Sequence, residues 1–331
     1  MNPFALPTYL RGLPHDWRSG HLDRSALEAQ AQQLVASTQF DAQRCHFAQA
    51  KLGAFSRNWV LDRVMRDDGR FAMLAFLLYL HHHAPHTGGI TYSGLLALFA
   101  HGSKLPGGAL ASPTRIKALL GIARMMGHLV QGPSPRNSKG GADQRTRIWL
   151  PTQKLLEPGE AWLRDCIVGL GHALPLAASS EHLMRMPGML PEVLSYNVLA
   201  YLHDGFILHE SFEAVRRFMQ RDGGYLVLMQ LLHTMQRSPE SGSWHANAQP
   251  HQLSQRFRVA SGTVRNALRD AAAQGWLVQL NRGGHDWQLS DDFAAHGQRW
   301  AAYEMLWMAG HVNAAYSRLA AQRTVVASSD Q

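Results

Sequence analysis

Cysteine is scarce in this chain: its 331 residues include only Cys45 and Cys166. The two lie far apart and outside any metal-ligand spacing, so the sequence predicts no disulfide framework and indicates a reducing compartment. The most apolar run, at residues 71–80, is about half the length that a membrane-spanning helix needs. No basic segment followed by an apolar one begins the chain, so no secretory signal is predicted. We therefore expect a cytoplasmic protein without membrane contact.

Catalytic motifs are absent as well. The sequence contains no Walker loop, no G-x-S-x-G elbow and no paired metal motif, so it predicts neither an enzyme nor a cofactor. The exception is "HHHAPH" at residues 81–86, because histidine is a common metal ligand. Consecutive histidines at a helix end point in different directions, whereas zinc needs converging ligands. We expect a solvated or capping cluster, and a metal-dependent enzyme using this segment stays an alternative.

Positive charge is in modest excess. Lys and Arg number 32 against 24 Asp and Glu, which gives a formal net charge of +8. Such an excess favours a polyanionic partner, nucleic acid above all. Hydrophobic residues make up 46% of the chain, enough for the cores of two ordinary domains.

The chain contains an internal repeat. "RDDGRFAMLAFLLYL", from residue 66, matches "QRDGGYLVLMQLLHTM", from residue 220, with Phe71 opposite Tyr225. "SPTRIKALLGIARMMGHLVQ" (112–131) matches "ASGTVRNALRDAAAQGWLVQ" (260–279), and a weaker match pairs "IWLPT" with "DWQLS". Order, spacing and residue class agree in all three matches. They predict a duplication, with six extra residues in the first copy between the first two matches.

Each copy predicts the same series of elements. For the second copy they are a helix at 224–236, a loop with the sequence "SPESGSWHANA", a short helix "QPHQLSQRF", a turn "RVA", a helix at 261–274 ended by Gly275, and two strands, "WLVQL" and "DWQLS", around a Gly-Gly turn. This order is that of a winged helix-turn-helix. The first copy gives the same order with a longer hairpin loop, from residue 132 to residue 144.

The predicted fold class is mainly α with small β-hairpin wings. Two winged helix-turn-helix heads are embedded in long flanking helices and related by a pseudo-twofold internal repeat. Along the chain we expect an N-terminal helical segment (1–66), head 1 (67–153), connecting helices and a linker (154–221), head 2 (222–290), and a C-terminal helix and tail (291–331). Prolines, serines and a glycine make residues 174–191 the best candidate for the linker.

The helix predicted at 261–274 has two chemically different faces. Val264 and Leu268 lie on an apolar face at helical spacing, together with two alanines. Arg265, Asn266 and Arg269 lie on the opposite face. Arginine can bond guanine at two atoms, and asparagine can do the same with adenine. Ser261 can cap the helix, whose exposed N–H groups suit a phosphate. The pattern predicts a DNA recognition helix.

The segment "RFRVASGTVRNALRDAAAQGWL" (256–277) resembles the DNA-binding signature of the GntR-type regulators. In that signature a Ser, a Thr-Val, an Arg, an Ala-Leu and a final Gly recur in this order. The helix-rich surroundings are similar to those of the MarR-type regulators, whose winged heads lie between dimerising helices. The chain departs from both families, because GntR-type heads usually lie at the N-terminus and MarR-type chains usually carry one head. The resemblance implies a bacterial DNA-binding regulator.

Head 1 is predicted to bind phosphates rather than to read bases. Its helix begins at Ser112-Pro113, a capping serine followed by a proline in the first turn, but the positions that match Asn266 and Arg269 are Ala118 and Gly121. Its hairpin loop, "GPSPRNSKGGADQRTR", is strongly basic. Residues 101–150 carry eight Lys or Arg and one acid, whereas residues 251–300 carry six and four. We therefore expect head 1 to supply most phosphate contacts and head 2 most base contacts.

Together these features predict a transcriptional regulator that binds double-stranded DNA as a fused pseudo-dimer. The candidate DNA contacts are Thr114, Arg115, Lys117, Arg124, Arg136, Lys139, Arg145, Arg147, Ser261, Thr263, Arg265, Asn266, Arg269 and Arg282. Two alternatives are a plasmid-type replication initiator with tandem winged helices and heads that bind protein. A homodimer is the alternative to a monomeric pseudo-dimer, with apolar surface from Trp300, Tyr303, Leu306 and Trp307. The sequence identifies no small-molecule effector.

Overall fold

The computed structural model describes residues 24–57, 68–103, 110–133, 147–281, 283 and 285–329. The described part is mainly helical and contains two small antiparallel sheets. Within these ranges no helix combines the length and the apolarity that crossing a bilayer requires.

The first half runs from α1 to α7. Its elements are α1 (Arg24–Val35), α2 (Phe40–Arg57), α3 (Asp68–His82), α4 (Ala84–Thr87), α5 (Tyr92–Gly102), α6 (Pro113–Met125), β1 (Leu129–Gln131), β2 (Trp149–Pro151) and α7 (Gln153–Gly171). The second half continues with α8 (Ser180–Arg185), α9 (Met189–Asp204), α10 (Glu213–Met219), α11 (Gly224–Thr234), β3 (Gln236–Arg237), β4 (Trp244–Asn247), α12 (Pro250–Phe257), α13 (Ser261–Ala273), β5 (Leu277–Gln279), β6 (Asp286–Leu289) and α14 (Asp291–Ser329).

The two predicted heads contain their elements in the same order. In head 1, α3, α5 and α6 precede the antiparallel pair β1–β2, and Ile90 forms a single β-bridge to Trp149 of β2. In head 2, α11, α12 and α13 precede the pair β5–β6, and β4 pairs with the other side of β6. Ile90 and β4 thus hold equivalent places, because each follows the first helix and pairs with the last strand.

The segment 238–248, predicted as a loop, is mostly part of a second hairpin in head 2. The turn between β3 and β4 is closed by the Ser238 N–H, which donates to Ser243 O at 2.8 Å. Gly242 supplies a positive φ of 68° in this turn, a conformation in which a Cβ would be strained. The segment lacks the β-branched residues that mark strands, so its strand character comes from pairing with β6 rather than from local propensity.

Two other predictions about the flanking segments are corrected. Residues 174–191, the candidate linker, include α8 and bury Leu183 and Met186, so part of this segment packs into the core. Of the residues that the homodimer alternative requires at the surface, Trp300, Tyr303 and Trp307 are at most 8% exposed and Leu306 is partly buried. They are covered because α14 packs along α1 and α9 of its own chain.

The helices around the heads pack reciprocally. The long helix before head 1, α2, contacts α11 of head 2, and the long helix α9, which precedes α10 and head 2, contacts α3 of head 1. The helix that follows each head, α7 or α14, then packs on the helix that precedes the same head. Each head's first helix is therefore covered by the other half of the chain, and the buried apolar residues form one continuous cluster.

Two equivalent pairs of aromatic rings mark the centre of this packing. Phe71 meets Trp162 edge-on with ring centroids 6.4 Å apart, and Tyr225 meets Trp300 edge-on at 6.1 Å. Phe71 and Tyr225 are matched positions of the sequence repeat, and the two tryptophans follow the matched Trp residues of the last strands at equal spacing. The correspondence between the halves therefore extends beyond the heads into α7 and α14.

Candidate nucleic-acid interface

The helices α12 and α13 meet through a short turn. Helix α12 ends at Phe257, its C-cap Arg258 lies in the left-handed region with a φ of 51° and a ψ of 35°, and α13 begins at Ser261. Leu253 and Phe257 on α12 and Val264 on α13 are buried, so the helices pack through their apolar faces. A residue other than glycine loses about 1–2 kcal/mol in this conformation. The turn thus carries an exposed arginine at a position where its backbone conformation is energetically unfavourable.

The outer face of α13 is polar and exposed. Val264, Ala267, Leu268 and Ala271 are buried, whereas Arg265, Asn266 and Arg269 face solvent, which confirms the predicted division of the helix. Arg269 Nη1 donates to Asn266 Oδ1 at 3.4 Å, so these two side chains lie together. That the face contacts DNA stays a prediction.

The N-terminus of α13 is built differently from the expectation. Ala260 is the N-cap residue, no side chain caps the helix, and the buried Ser261 Oγ has no hydrogen-bond partner among the described residues. The capping role predicted for Ser261 is therefore wrong. The helix starts one residue earlier than that role requires, which places Ser261 inside the first turn. Thr263 is half-buried in the same turn. The first-turn N–H groups lack a side-chain acceptor, and such groups suit an anion.

Contacts from neighbouring elements hold α13 in place. Arg221, between α10 and α11, forms an ion pair with Asp270 of α13 at 2.7 Å. The guanidinium of Arg217 lies 5.7 Å from the ring centroid of Trp276, just beyond the helix. Gly275 ends the helix with a φ of 74°, as the sequence predicted. The polar face of α13 is thus presented by a helix that an ion pair and the packing of α12 hold in place.

The corresponding helix of head 1, α6, has a side-chain N-cap, and its exposed face includes small residues without polar side chains. Ser112 Oγ accepts a hydrogen bond from the Arg115 N–H at 3.3 Å, which confirms the predicted cap. Thr114, Arg115 and Lys117 are exposed. Ala118 and Gly121 are exposed on the same helix, and a Cβ added at Gly121 would meet no atom within 4 Å. The surface that carries Asn266 and Arg269 in head 2 is therefore open and apolar in head 1.

Two features of α6 were missed from the sequence. Arg124, one of the predicted DNA contacts, lies with its guanidinium 4.1 Å from the ring centroid of Trp149, so it packs against β2. Ile122 and Met125 are 51% and 78% exposed. The period of the helix could have identified them, because they fall outside the positions of the buried Ile116 and Leu120.

The described residues include only part of the basic hairpin loops. Arg147 is exposed just before β2, and Gly132 N donates to Ile148 O at 2.9 Å, which closes the described end of the first hairpin. Three predicted contacts of that hairpin, Arg136, Lys139 and Arg145, lie outside the described residues, as does Arg282 of the second hairpin. The predicted division of charge between the hairpins therefore stays a prediction.

The histidine-rich segment bonds to neighbouring helices. His82 Nε2 lies 2.6 Å from Glu192 Oε2, and His83 Nε2 lies 3.2 Å from Ser195 Oγ, both on α9. Burial, followed by the charge of His82, lowers the pKa of His81. In the ranges that the structure describes, no three His, Cys, Asp or Glu side chains are grouped as metal ligands would be.

Comparison of the whole chain with protein-family models, with curated proteins and with solved structures finds no match. The functional argument therefore depends on the geometry of the chain itself.

Proposed function

We propose that the chain is a sequence-specific DNA-binding protein with two winged helix-turn-helix heads, and that it regulates transcription in the cytoplasm of a bacterium. The observation that carries the proposal is the exposed face of α13. This helix follows α12 through a three-residue turn, packs on it, and precedes an antiparallel strand pair. In a winged helix-turn-helix, the helix at this place enters the major groove.

The chemistry of the face supports base recognition. Arg265, Asn266 and Arg269 are the residue types that form two-point contacts with guanine and adenine. All three are exposed, and the helix beneath them is held by the Arg221–Asp270 ion pair. A rigid element that presents such side chains can position them against base edges with little loss of conformational entropy.

Head 1 has the element order of head 2, but Ala118 and Gly121 replace Asn266 and Arg269. We propose that head 1 contacts phosphates through Thr114, Arg115, Lys117 and its basic hairpin. The hydrogen-bonded cap at Ser112 leaves fewer free N–H groups at the start of α6 than at the start of α13. Its phosphate contacts must therefore come mainly from side chains.

The test measures binding of the full chain to a duplex selected from a random pool, by fluorescence anisotropy. Arg265→Ala, Asn266→Ala and Arg269→Ala should each weaken binding to the selected duplex by about 1–3 kcal/mol and reduce discrimination against random DNA. Arg185→Ala is the matched control. It removes an arginine that is 78% exposed on α8, away from α13 in the sequence, and should leave discrimination unchanged.

Unchanged discrimination in all three variants, with the fold intact by circular dichroism, would refute the role given to α13. Selected duplexes that contain direct repeats would favour a replication initiator, whereas an imperfect palindrome would favour a regulator.

One observation favours a second function for head 1. Ile122 and Met125 expose apolar side chains on α6, beside the small residues Ala118 and Gly121. A contiguous exposed apolar surface can mark a protein-binding site. If head 1 binds a protein, Met125→Glu will abolish recovery of that partner and leave the salt dependence of DNA binding unchanged.

A further inference from the structure

A cavity of about 180 Å³ lies between the two halves of the chain. Residues from α2, α3 and α7 of the first half line it together with residues from α9, α11 and α14 of the second. The half-buried residues Leu110 and 206–208 form its more exposed side. The cavity thus belongs to the junction of the halves and not to the proposed DNA-binding face.

Aromatic rings form a large part of the cavity wall. They include both edge-on ring pairs, Phe71 with Trp162 and Tyr225 with Trp300. Flat aromatic walls favour a flat apolar occupant, because offset or edge-on ring contacts add to the burial of apolar surface. A designed apolar cavity of about 150 Å³ in another protein holds benzene, so this one has room for a single substituted ring.

The charged side chains of the cavity neutralise each other. Lys51 Nζ donates to Glu304 Oε1, and the hydroxyl of Tyr225 donates to the same oxygen at 2.9 Å. Lys51 Nζ also lies 5.8 Å from the centroid of Trp162 and 5.7 Å from that of Tyr225. A charged ligand would bring an uncompensated charge into this buried site, which is unfavourable. The site is therefore suited to an uncharged molecule.

Three buried polar atoms on the lining residues have no hydrogen-bond partner among the described residues. They are Glu304 Oε2 and the indole Nε1 atoms of Trp162 and Trp300. Buried polar atoms in proteins are nearly always hydrogen-bonded, so three unpartnered atoms on residues that line one cavity point to a missing partner. A carboxylate oxygen accepts only, and the molecule that satisfies it must therefore donate.

We propose that this cavity binds a small uncharged aromatic molecule with a hydroxyl group, whose ring lies between the two ring pairs and whose hydroxyl donates to Glu304 Oε2. The assignment depends on the cavity, the neutral ion pair and the unpartnered carboxylate oxygen. It does not require that the chain binds DNA.

The test is calorimetric titration of the full chain at pH 7 with three probes that share a 4-ethylphenyl group. These are 4-ethylphenol, which is neutral and donates, 4-ethylanisole, which is neutral and only accepts, and 4-ethylbenzoate, which is an anion. We expect 4-ethylphenol to bind with one molecule per chain. The anisole should bind at least about fivefold more weakly because it leaves Glu304 Oε2 unpaired, and the benzoate at least about tenfold more weakly because it is charged.

Two variants locate the binding. Ala75→Leu fills part of the cavity and should weaken 4-ethylphenol binding at least about tenfold by steric exclusion. Ala273→Leu makes the same change on the exposed surface of α13 and should have no effect. The double variant Lys51→Met/Glu304→Met removes both charges together, which a buried pair commonly tolerates. It should bind 4-ethylphenol no more tightly than 4-ethylanisole.

The proposal is overturned if no probe binds up to its solubility limit, which would mean that water alone fills the cavity. It is also overturned if 4-ethylbenzoate binds as tightly as 4-ethylphenol, if Ala75→Leu behaves like Ala273→Leu, or if the double variant still prefers the phenol. None of these measurements uses DNA, so failure here is separate from failure of the proposed function.

Discussion

Single residues distinguish the two heads more than their backbones do. Helices α6 and α13 have equal lengths and equivalent neighbours, yet Ala118 and Gly121 stand where α13 has Asn266 and Arg269. Nothing in the described structure requires a glycine at position 121, because the space around it is open and its φ is ordinary. A glycine inside a helix lowers stability by about 0.5–1 kcal/mol relative to alanine.

We predict that Gly121→Ala raises the free energy of unfolding by about 0.5–1 kcal/mol, measured by urea denaturation. Gly224→Ala is the contrasting control, since its Cβ would collide with the carbonyl oxygen of Phe218. That variant should lose stability. A loss of stability in Gly121→Ala would show that the open surface of α6 is covered in solution.

Whole elements are joined by buried ion pairs, of which the Glu192 group is the clearest. Glu192 on α9 is 1% exposed in its side chain and lies 2.6 Å from His82 Nε2 on α3 and 3.0 Å from Arg318 Nη1 on α14. Burial alone would raise the pKa of Glu192. The hydrogen bond with His82 and the charge of Arg318 outweigh burial and hold that pKa below its usual value. The carboxylate therefore links three helices in its charged form.

We predict that Glu192→Gln lowers the free energy of unfolding at pH 7 by about 3–5 kcal/mol, because it breaks a buried carboxylate's ion pair and leaves the partly buried His82 and Arg318 without their charged partner. The folded pKa of Glu192 is depressed, so its stabilisation is complete above the ordinary value of 4.5 and is lost as the pH falls through the folded value. The difference between variant and parent should therefore shrink below pH 4.5. In the exposed Glu181–Arg185 pair, Glu181→Gln should change stability by about 0–1 kcal/mol. A difference for Glu192→Gln that does not vary with pH would contradict this account.

The basic loop of the first hairpin is predicted to contact DNA phosphates. Neutralising Arg136, Lys139, Arg145 and Arg147 together should weaken binding to all duplexes alike. The slope of log affinity against log salt should become shallower by roughly 0.9 for each phosphate that these side chains no longer neutralise. Anisotropy at several salt concentrations measures both quantities. If affinity falls only for the selected duplex while the slope stays fixed, this hairpin reads bases.

At this scale the sequence predicted those elements whose residue spacing and end signals lie within the element itself. Helix α13 follows from the spacing of Val264 and Leu268, and its end follows from Gly275. Strand β4 was missed because residues 244–247 become a strand only by pairing with β6, which lies about forty residues further along the chain. Ser261 was misplaced because a shift of one residue in a helix start turns a cap into a first-turn residue. Like the pairing of β4 with β6, the contact between Lys51 and Glu304 joins segments that are far apart in the chain, so no local sequence pattern predicts it.

The whole molecule resembles a dimer whose two subunits share one chain. Helices α2 and α9 each cover the first helix of the opposite head, so neither half buries its core alone. This arrangement places two heads on one scaffold in a fixed relation. Ordinary winged regulators reach the same arrangement by association of two chains on half-sites about one helical turn, roughly 34 Å, apart.

We therefore predict one chain per minimal duplex, measured by native mass spectrometry of the complex. The free protein should be monomeric at the same concentration, because the aromatic residues of α14 are buried within the chain. Two chains on every minimal duplex, each engaged only through head 2, would overturn the fused-dimer interpretation.

Because α6 and α13 carry different side chains, such a protein would bind its DNA site in one defined orientation. A homodimer is unchanged by rotation about its twofold axis, so it binds a palindrome equally well in either orientation. A chain with Asn266 and Arg269 on one helix and Ala118 and Gly121 on the other has no such equivalence. Reversing its site relative to a neighbouring promoter would exchange the ends at which head 1 and head 2 stand. Polarity along the DNA would then be a property of the protein itself.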